Sequence, residues 1–277
     1  SHGSQYPRRV RVSSLVTYPV KGCAGTVLDS ARVSATGLEH DRAFMIVDAD
    51  GSFRSQRTDP VLAVVRCSVA DGTLTLEHAS FGSVTVPVDR DSEAREVTMF
   101  RSPVRGIDQG DEVADWLTEV IEEPSRLVAA PRDLGRVTDG ISPGSAQFAD
   151  SSAVHILSTA TLAGLNSRLD VPLPMDRFRP NIVVDGWDDP HREDEVREVT
   201  IGGARLAYTK LAIRCAVTTV EQTTGVRTGP EPLRTLGDYR RGRQKGVAFG
   251  SKFSVLQDGT VTVGDELRVE SWGESEL

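Results

Sequence analysis

The stretch Ile213-Arg214-Cys215-Ala216-Val217-Thr218-Thr219-Val220-Glu221-Gln222-Thr223-Thr224-Gly225 sets one cysteine in an apolar, β-branched run. That composition predicts a strand over Ile213–Val220. A cysteine inside a strand is ordinarily a small core hydrophobe. Two neighbours argue for chemistry instead. Arg214 is adjacent, and a cation beside a thiol favours the reactive thiolate. The run then continues into Thr218, Thr219, Glu221, Thr223 and Thr224, which is polar for the continuation of a buried strand. The other cysteines, Cys23 and Cys67, are distant in sequence. An odd count with long spacings argues for reduced thiols, and the cytoplasm is the expected compartment.

The 277 residues allow two domains. With 38% hydrophobic and 26% charged residues the chain can build a packed core. Its net charge of −8, from 32 basic and 40 acidic residues, makes it a poor non-specific binder of nucleic acid. No apolar run reaches the roughly 18 residues of a membrane span, and no signal peptide is visible. Ser1-His2-Gly3-Ser4 reads as a cloning remnant and is set aside.

Short strands are predicted at Val10–Thr17, Thr26–Val33, Ala43–Val47, Ser52–Gln56, Leu62–Val69, Thr73–His78, Ser83–Val88 and Glu96–Phe100. Asp-Gly turn signals stand at residues 50–51, 71–72 and 258–259. Val113, Trp116, Leu117, Val120 and Ile121 mark one face of a helix, with Asp111 as its expected N-cap and Pro124 as its stop. A strand at Arg126–Ala130 precedes a Pro- and Gly-rich linker or site loop at Pro131–Gly144. Further strands are expected at Val154–Leu157, Asn181–Val184, Glu198–Ile201, Arg205–Tyr208, Phe253–Leu256, Thr260–Val263 and Glu266–Glu270. Helices are expected at Ala160–Leu169, capped by Ser158 or Thr159, and at Pro232–Arg240. Many short strands with few helices point to a β-barrel, not a doubly wound parallel sheet.

The sequence holds no phosphate loop, no GxGxxG, no HExxH, no CxxC and no GxSxG. The five histidines are scattered, and no pair has metal-ligand spacing on one face, so a protein-built zinc site is not expected. A Cys–His nucleophile pair stays open, since such partners need only meet in space.

The Cys215 stretch resembles the cysteine motif of the MOSC proteins, the molybdenum-cofactor sulfurase C-terminal type domain. Other blocks follow in family order. YPVKGC (residues 18–23), GLEHDRAFMIVD (37–48) and SQRTDP (55–60) resemble the N-terminal barrel module that precedes MOSC. FADSSAVHILSTATLAGLNSRL (148–169) and FRPNIVV (178–184) resemble its start. PLRTLGDYR (232–240) and FGSKFSVL (249–256) resemble its end. The nearest subgroup is that of amidoxime-reducing components and their bacterial relatives.

The resemblance implies a mixed α/β, mostly β fold. A MOSC-type barrel domain at residues 131–272 would pack on a smaller N-terminal module at 6–130, with the first strands as candidates to complete the barrel. It implies a molybdenum cofactor, a pterin whose dithiolene sulfurs hold the metal. The protein then needs only one soft ligand, and Cys215 is the matching thiolate. Lys21, Arg42, Ser151, Ser152, Arg179, Asn181 and Arg214 match cofactor-binding positions. Taken singly, the cations are ordinary surface charges and the serines turn residues; Arg179 and Asn181 stand out, flanking Pro180 at the start of an apolar strand. Asp150 matches a carboxylate near the metal and is assigned proton delivery.

Three residues depart from the pattern. Gly22 stands where Ser is frequent, Ile213 where a small polar residue is common, and Lys252 where a Tyr is familiar. The expected activity is reduction of N-hydroxylated small molecules, such as amidoximes or hydroxylamines. The expected partner is a separate flavin, haem or iron–sulfur electron donor. The alternative is a cofactor carrier or sulfur-transfer module using Cys215.

Overall fold

The computed structural model describes residues 8–243 and 245–277; residues 1–4, expected to be a remnant, and residues 6 and 7 of the first expected domain lie outside these. Along Arg11–Thr17 (β1) Leu15 and Thr17 turn inward with the period of a half-buried strand, and an irregularity between Val12 and Ser14 brings Val12 inward as well. β1 joins an eight-stranded sheet with Thr26–Leu28 (β2), Val154–Ser158 (β3), Ile182–Asp185 (β4), Val196–Ile201 (β5), Ala204–Arg214 (β6), Val247–Gln257 (β7) and Leu267–Trp272 (β8). Their order is β2-β1-β4-β3-β7-β6-β5-β8. Only β3 and β4 run parallel, and such a pair requires a crossover. Helix Thr159–Asn166 opens that crossover; its N-cap is Ser158, whose Oγ accepts from the Thr161 N–H at 3.1 Å.

The sheet curls until β1 meets the start of β8: Val12 N donates to Asp265 O at 2.9 Å and Leu267 N to Val10 O at 2.8 Å. Leu15, Val154, Ile182, Leu206, Tyr208 and Phe253 fill the interior. The first strand of the chain therefore shares a sheet with its last.

A second unit lies between. Phe44–Asp48, Ser125–Ala129, Ser102–Asp108 and Arg95–Met99 form a four-stranded antiparallel sheet, and Arg66–Ala70, Thr73–His78 and Gly82–Pro87 a three-stranded meander. Helix Asp111–Ile121 covers it, burying Val113, Leu117 and Val120. The fold is mostly β, as the resemblance implied.

Several local expectations are corrected. Thr26–Val33 is two strands, parted at Asp29: Thr26–Leu28 pairs with β1, whereas Ser30–Ser34 pairs with Gly259–Thr262. Leu62–Val69 splits into a 3-10 turn at Pro60–Val64 and a strand from Arg66. Ser52–Gln56 makes only isolated bridges. Ser102–Asp108 is an unanticipated strand; its Pro103 sits where the strand pairs on one side only, with Thr98, so the missing N–H costs no ladder bond. Asp111 is the first helical residue, and the cap position is Gly110 at φ 100°.

The most consequential correction concerns Ile213–Val220. β6 stops at Arg214, and Ala216–Thr219 is a 3-10 turn. The Thr218 and Thr219 hydroxyls donate to the carbonyls of Cys215 and Ala216 at 2.8 and 2.7 Å. Such local bonds offer the backbone an alternative to the ladder. Cys215 thus stands at a strand end, not within a strand.

Candidate active site

At one mouth of the barrel the chain ends of several strands surround a cavity of about 340 Å³. Lys21 follows β1. Asp150, Ser151 and Ser152 precede β3. Arg179 and Asn181 precede β4. Arg214 closes β6 and Cys215 follows it, while Arg42 comes from the second unit. The structure brings all nine of these sequence-predicted residues to this one cavity. Lys252 of β7 lines it too.

Charge is the cavity's dominant property. Seven cationic side chains line it, from Lys21, Arg42, Arg57, Lys210, Arg179, Arg214 and Lys252, and Asp150 is the one lining carboxylate. The chain as a whole carries −8. Arg42 and Arg179 hold left-handed backbone conformations, φ 46° and 54°, uncommon for non-glycine residues and found preferentially at functional sites. Their guanidinium carbons lie 4.5 and 4.3 Å from the centre of the Tyr18 ring, within cation–π range.

Some groups are fully engaged within the protein. Buried Asp41 accepts from Arg42 Nη1 at 2.8 Å, from Asn181 Nδ2 at 3.0 Å and from the Tyr18 N–H at 2.9 Å. Asn181 also donates to Val16 O and accepts from the His155 N–H. Ser152 shares a hydrogen bond with Thr209. Asn181 and Ser152 therefore brace the wall. Gln56 and Gln222 bond each other and tie the second unit to the cysteine loop; Gln222 accepts from Arg179 Nη1 at 3.2 Å.

Other groups are left over. Arg179 Nη2, Arg214 Nε and His155 Nε2 are buried without a hydrogen-bond partner among the described residues, and all three side chains line the cavity. Burial pushes Arg214 down to about 10 and lowers Arg179 as well. Burial raises the Asp150 carboxyl, but the Lys21 ammonium, by charge and hydrogen bond, outweighs it and holds the group well below the usual carboxylate range. Burial lowers Lys21 in turn, against the pull of Asp150.

Cys215 is half-buried. Arg57 Nη1 approaches its sulfur to 3.8 Å. The Arg57 guanidinium rests 5.7 and 5.6 Å from the Phe53 and Phe100 rings, which pack at 4.7 Å. Among the described residues no three His, Cys, Asp or Glu side chains gather into a metal cage. A metal held by Cys215 would take its remaining ligands from a bound molecule. The donor set fits a phosphorylated, metal-bearing organic group: a soft sulfur, excess cations and buried N–H groups still lacking acceptors.

The sequence reading passed over Tyr18, Asp41, Gln56, Arg57, His155, Lys210 and Gln222. Arg57 and Gln56 lay within the quoted SQRTDP block, Gln222 in the cysteine stretch, and Asp41 beside Arg42. No local pattern marked them, because each is defined by a contact distant in sequence.

Two family descriptions match the chain: MOSC N-terminal beta barrel domain over residues 9–124 and MOSC domain over 143–268. The chain is 32% identical over 274 residues to mitochondrial amidoxime-reducing component 1 of Homo sapiens, covering 92% of this chain and 81% of that protein. It is 32% identical over 288 residues to mitochondrial amidoxime reducing component 2 of Rattus norvegicus, covering 94% and 85%. The crystal structure of YUAD protein from Bacillus subtilis aligns over 95% of this chain and 97% of that one, at 11% identity and a TM-score of 0.40. No described helix is long and apolar enough to cross a membrane.

Proposed function

The chain belongs to the MOSC family that includes the amidoxime-reducing components, and from that premise we propose that it is a molybdenum-cofactor-dependent reductase of N-hydroxylated compounds. The observation that carries this reading is one cavity holding a reachable thiol among seven cations, in an acidic chain.

In this reading Cys215 is the protein's ligand to the metal. Arg42, Arg179, Arg214 and Lys21 hold the phosphate, with Ser151 as a hydroxyl donor. When bound, the cofactor supplies a two-electron centre. The protein's own work is positional and electrostatic. Asp41 fixes Arg42 and Asn181; Tyr18 spaces Arg42 and Arg179. Arg57 places positive charge beside the sulfur, opposite in sign to a thiolate ligand. Asp150, held ionised by Lys21, serves as a proton relay that must first receive the proton it passes on. Electrons come from a separate flavin, haem or iron–sulfur protein.

The test is metal and pterin analysis of protein made in a cofactor-producing host, followed by reduction of benzamidoxime with a viologen dye as donor. The expected result is near-stoichiometric molybdenum and turnover in the wild type, with both lost in Cys215→Ala. Molybdenum-loaded protein that leaves benzamidoxime and N-hydroxylated relatives unreduced would overturn the substrate class. Transient molybdenum with a persulfide on Cys215 would favour the sulfur-transfer alternative.

A further inference from the structure

We propose that Lys252 is the proton donor of this cavity, giving its Nζ proton to the oxygen that departs when the N–O bond of a bound substrate breaks. The inference rests on the reduction proposed above and adds the acid that it requires.

Residue choice is the first observation. Of the 32 basic residues only four are lysines, and three of these, Lys21, Lys210 and Lys252, line this one cavity. Elsewhere the chain draws its positive charge almost entirely from arginine, which cannot give up its proton in a protein. Lysine is the cation that titrates readily when buried.

Register is the second. Lys252 lies opposite His155 on one neighbouring strand, β3, and opposite Lys210 on the other, β6, so three basic side chains stand abreast across the sheet. Like charges directly opposite one another repel. Lys21 is neutralised by Asp150 and Lys210 by Asp139, but Lys252 has no salt-bridge partner among the described residues. The charged groups around it are Arg42, Arg214, Asp150 and Asp41, with His155 and Lys210 on the flanking strands. Burial first, then Arg42 and Arg214, push its ammonium down to about 7, against the opposing pull of Asp150 and Asp41.

The other lining groups are less suited. Lys21 and Lys210 are held by carboxylates, and Asp150, ionised by Lys21, passes on only a proton it has first received. Burial, with Lys252 and Arg214 behind it, holds His155 neutral, far below the ordinary histidine value. The arginines keep their protons.

The step balances as R–NH–OH plus two electrons and two protons giving R–NH2 plus water. The N–O bond breaks and nitrogen is reduced, with electrons delivered by the cofactor and replenished by the external reductant. One proton passes from Lys252 Nζ to the departing oxygen, the second reaches nitrogen from water, and Lys252 is reprotonated by solvent. The donor works in its charged form, so turnover falls as pH rises through its value. An anionic group bound beside Arg42 and Arg214 offsets their repulsion, so the value in the loaded protein lies above that of the empty one.

Two measurements test this. Trace acetylation of the wild type with acetic anhydride across pH reads the reactivity of Lys252 by peptide mass spectrometry, with exposed Lys245 as internal reference in the same digest. The expected half-reaction of Lys252 falls near neutrality in the empty protein and moves upward on cofactor loading. Titration in step with Lys245 overturns the proposal. The pH profile of kcat/KM for benzamidoxime is then compared among wild type, Lys252→Met and Lys252→Arg at equal molybdenum content. Lys252→Met is expected to lose on the order of 10²-fold and the alkaline decline with it. Lys252→Arg keeps the charge but holds its proton, and is expected not to rescue. Wild-type turnover in Lys252→Arg would assign a charge role alone and overturn the donor. An active wild type whose profile Lys252→Met leaves unchanged overturns the donor and spares the reductase reading; a loaded wild type that reduces nothing overturns both.

Discussion

Two consecutive residues of β7 face two different worlds. Ser251 donates to Asp194 Oδ1 at 3.0 Å within a closed network, while Lys252 lines the open cavity. In the network Asp194 pairs with Arg240 at 2.5 Å, Arg240 Nε donates to Ala248 O at 2.9 Å, and neighbouring Glu193 accepts from Ser158 N and Oγ at 2.9 and 3.1 Å. Arg240 and Asp194 are 4% and 1% exposed, yet both charges are matched and bonded. The cavity is assembled from the same residue types and left unbalanced, with more cations than carboxylates and buried N–H groups that lack acceptors. In the network the Arg240 and Asp194 charges have each other; in the cavity several cations wait for a partner.

The strongest way to break this contrast is Asp194→Ala. It strands Arg240 in the interior, and removing one partner of a buried pair costs about 3–5 kcal/mol. Urea unfolding measures it, and a loss under about 1 kcal/mol, the scale of an exposed pair, would erase the distinction.

The cavity should behave in the opposite sense. Arg179→Ala or Arg214→Ala removes an incompletely paired buried cation, so the empty protein should unfold within about 1 kcal/mol of wild type or be more stable. Inorganic phosphate should stabilise the wild type, by about 2.7 kcal/mol at a hundredfold excess over its Kd, and stabilise these variants less. Thermal melts with phosphate, against chloride at equal ionic strength, check both parts. Equal phosphate effects in wild type and variants would show that the cations bind no anion there.

A pH effect sharpens the closed side. Burial first, then the charges of Arg240 and Arg168, push His191 down to about 3. Its value in the unfolded chain is about 6.5, so between these limits the unfolded state holds the extra proton. The stabilisation is complete above about pH 6.5 and is lost as pH falls toward 3, by at most about 1.4 kcal/mol per pH unit. His191→Phe keeps a ring beside Tyr239 and Phe249, and should flatten the acid limb of stability measured by urea midpoints across pH.

Much of the fold was legible because alternation and turn chemistry are local. β1, the Thr73–His78 strand and the Asp111–Ile121 helix each announce themselves within a dozen residues. Failures fell where a local pattern met a tertiary constraint. The run at 26–33 looks continuous, but its two halves pair with different strands. The run at 213–220 looks like a strand, but two threonine hydroxyls capture the backbone. The candidate site was legible as chemical types, a soft sulfur with cations spaced along the chain, and the family resemblance ordered them.

By itself the sequence determined the strand-rich architecture, which composition and short-range spacing encode, and its motif blocks carried the family resemblance that marked candidate anion and metal ligands. Only the tertiary structure decided which of those residues were already spoken for. Asn181 is engaged by Asp41, 140 positions away, and Arg57 reaches Cys215 from 158 positions away. Hydrogen bonding and charge compensation depend on distance in space, and folding sets those distances without regard to separation along the chain.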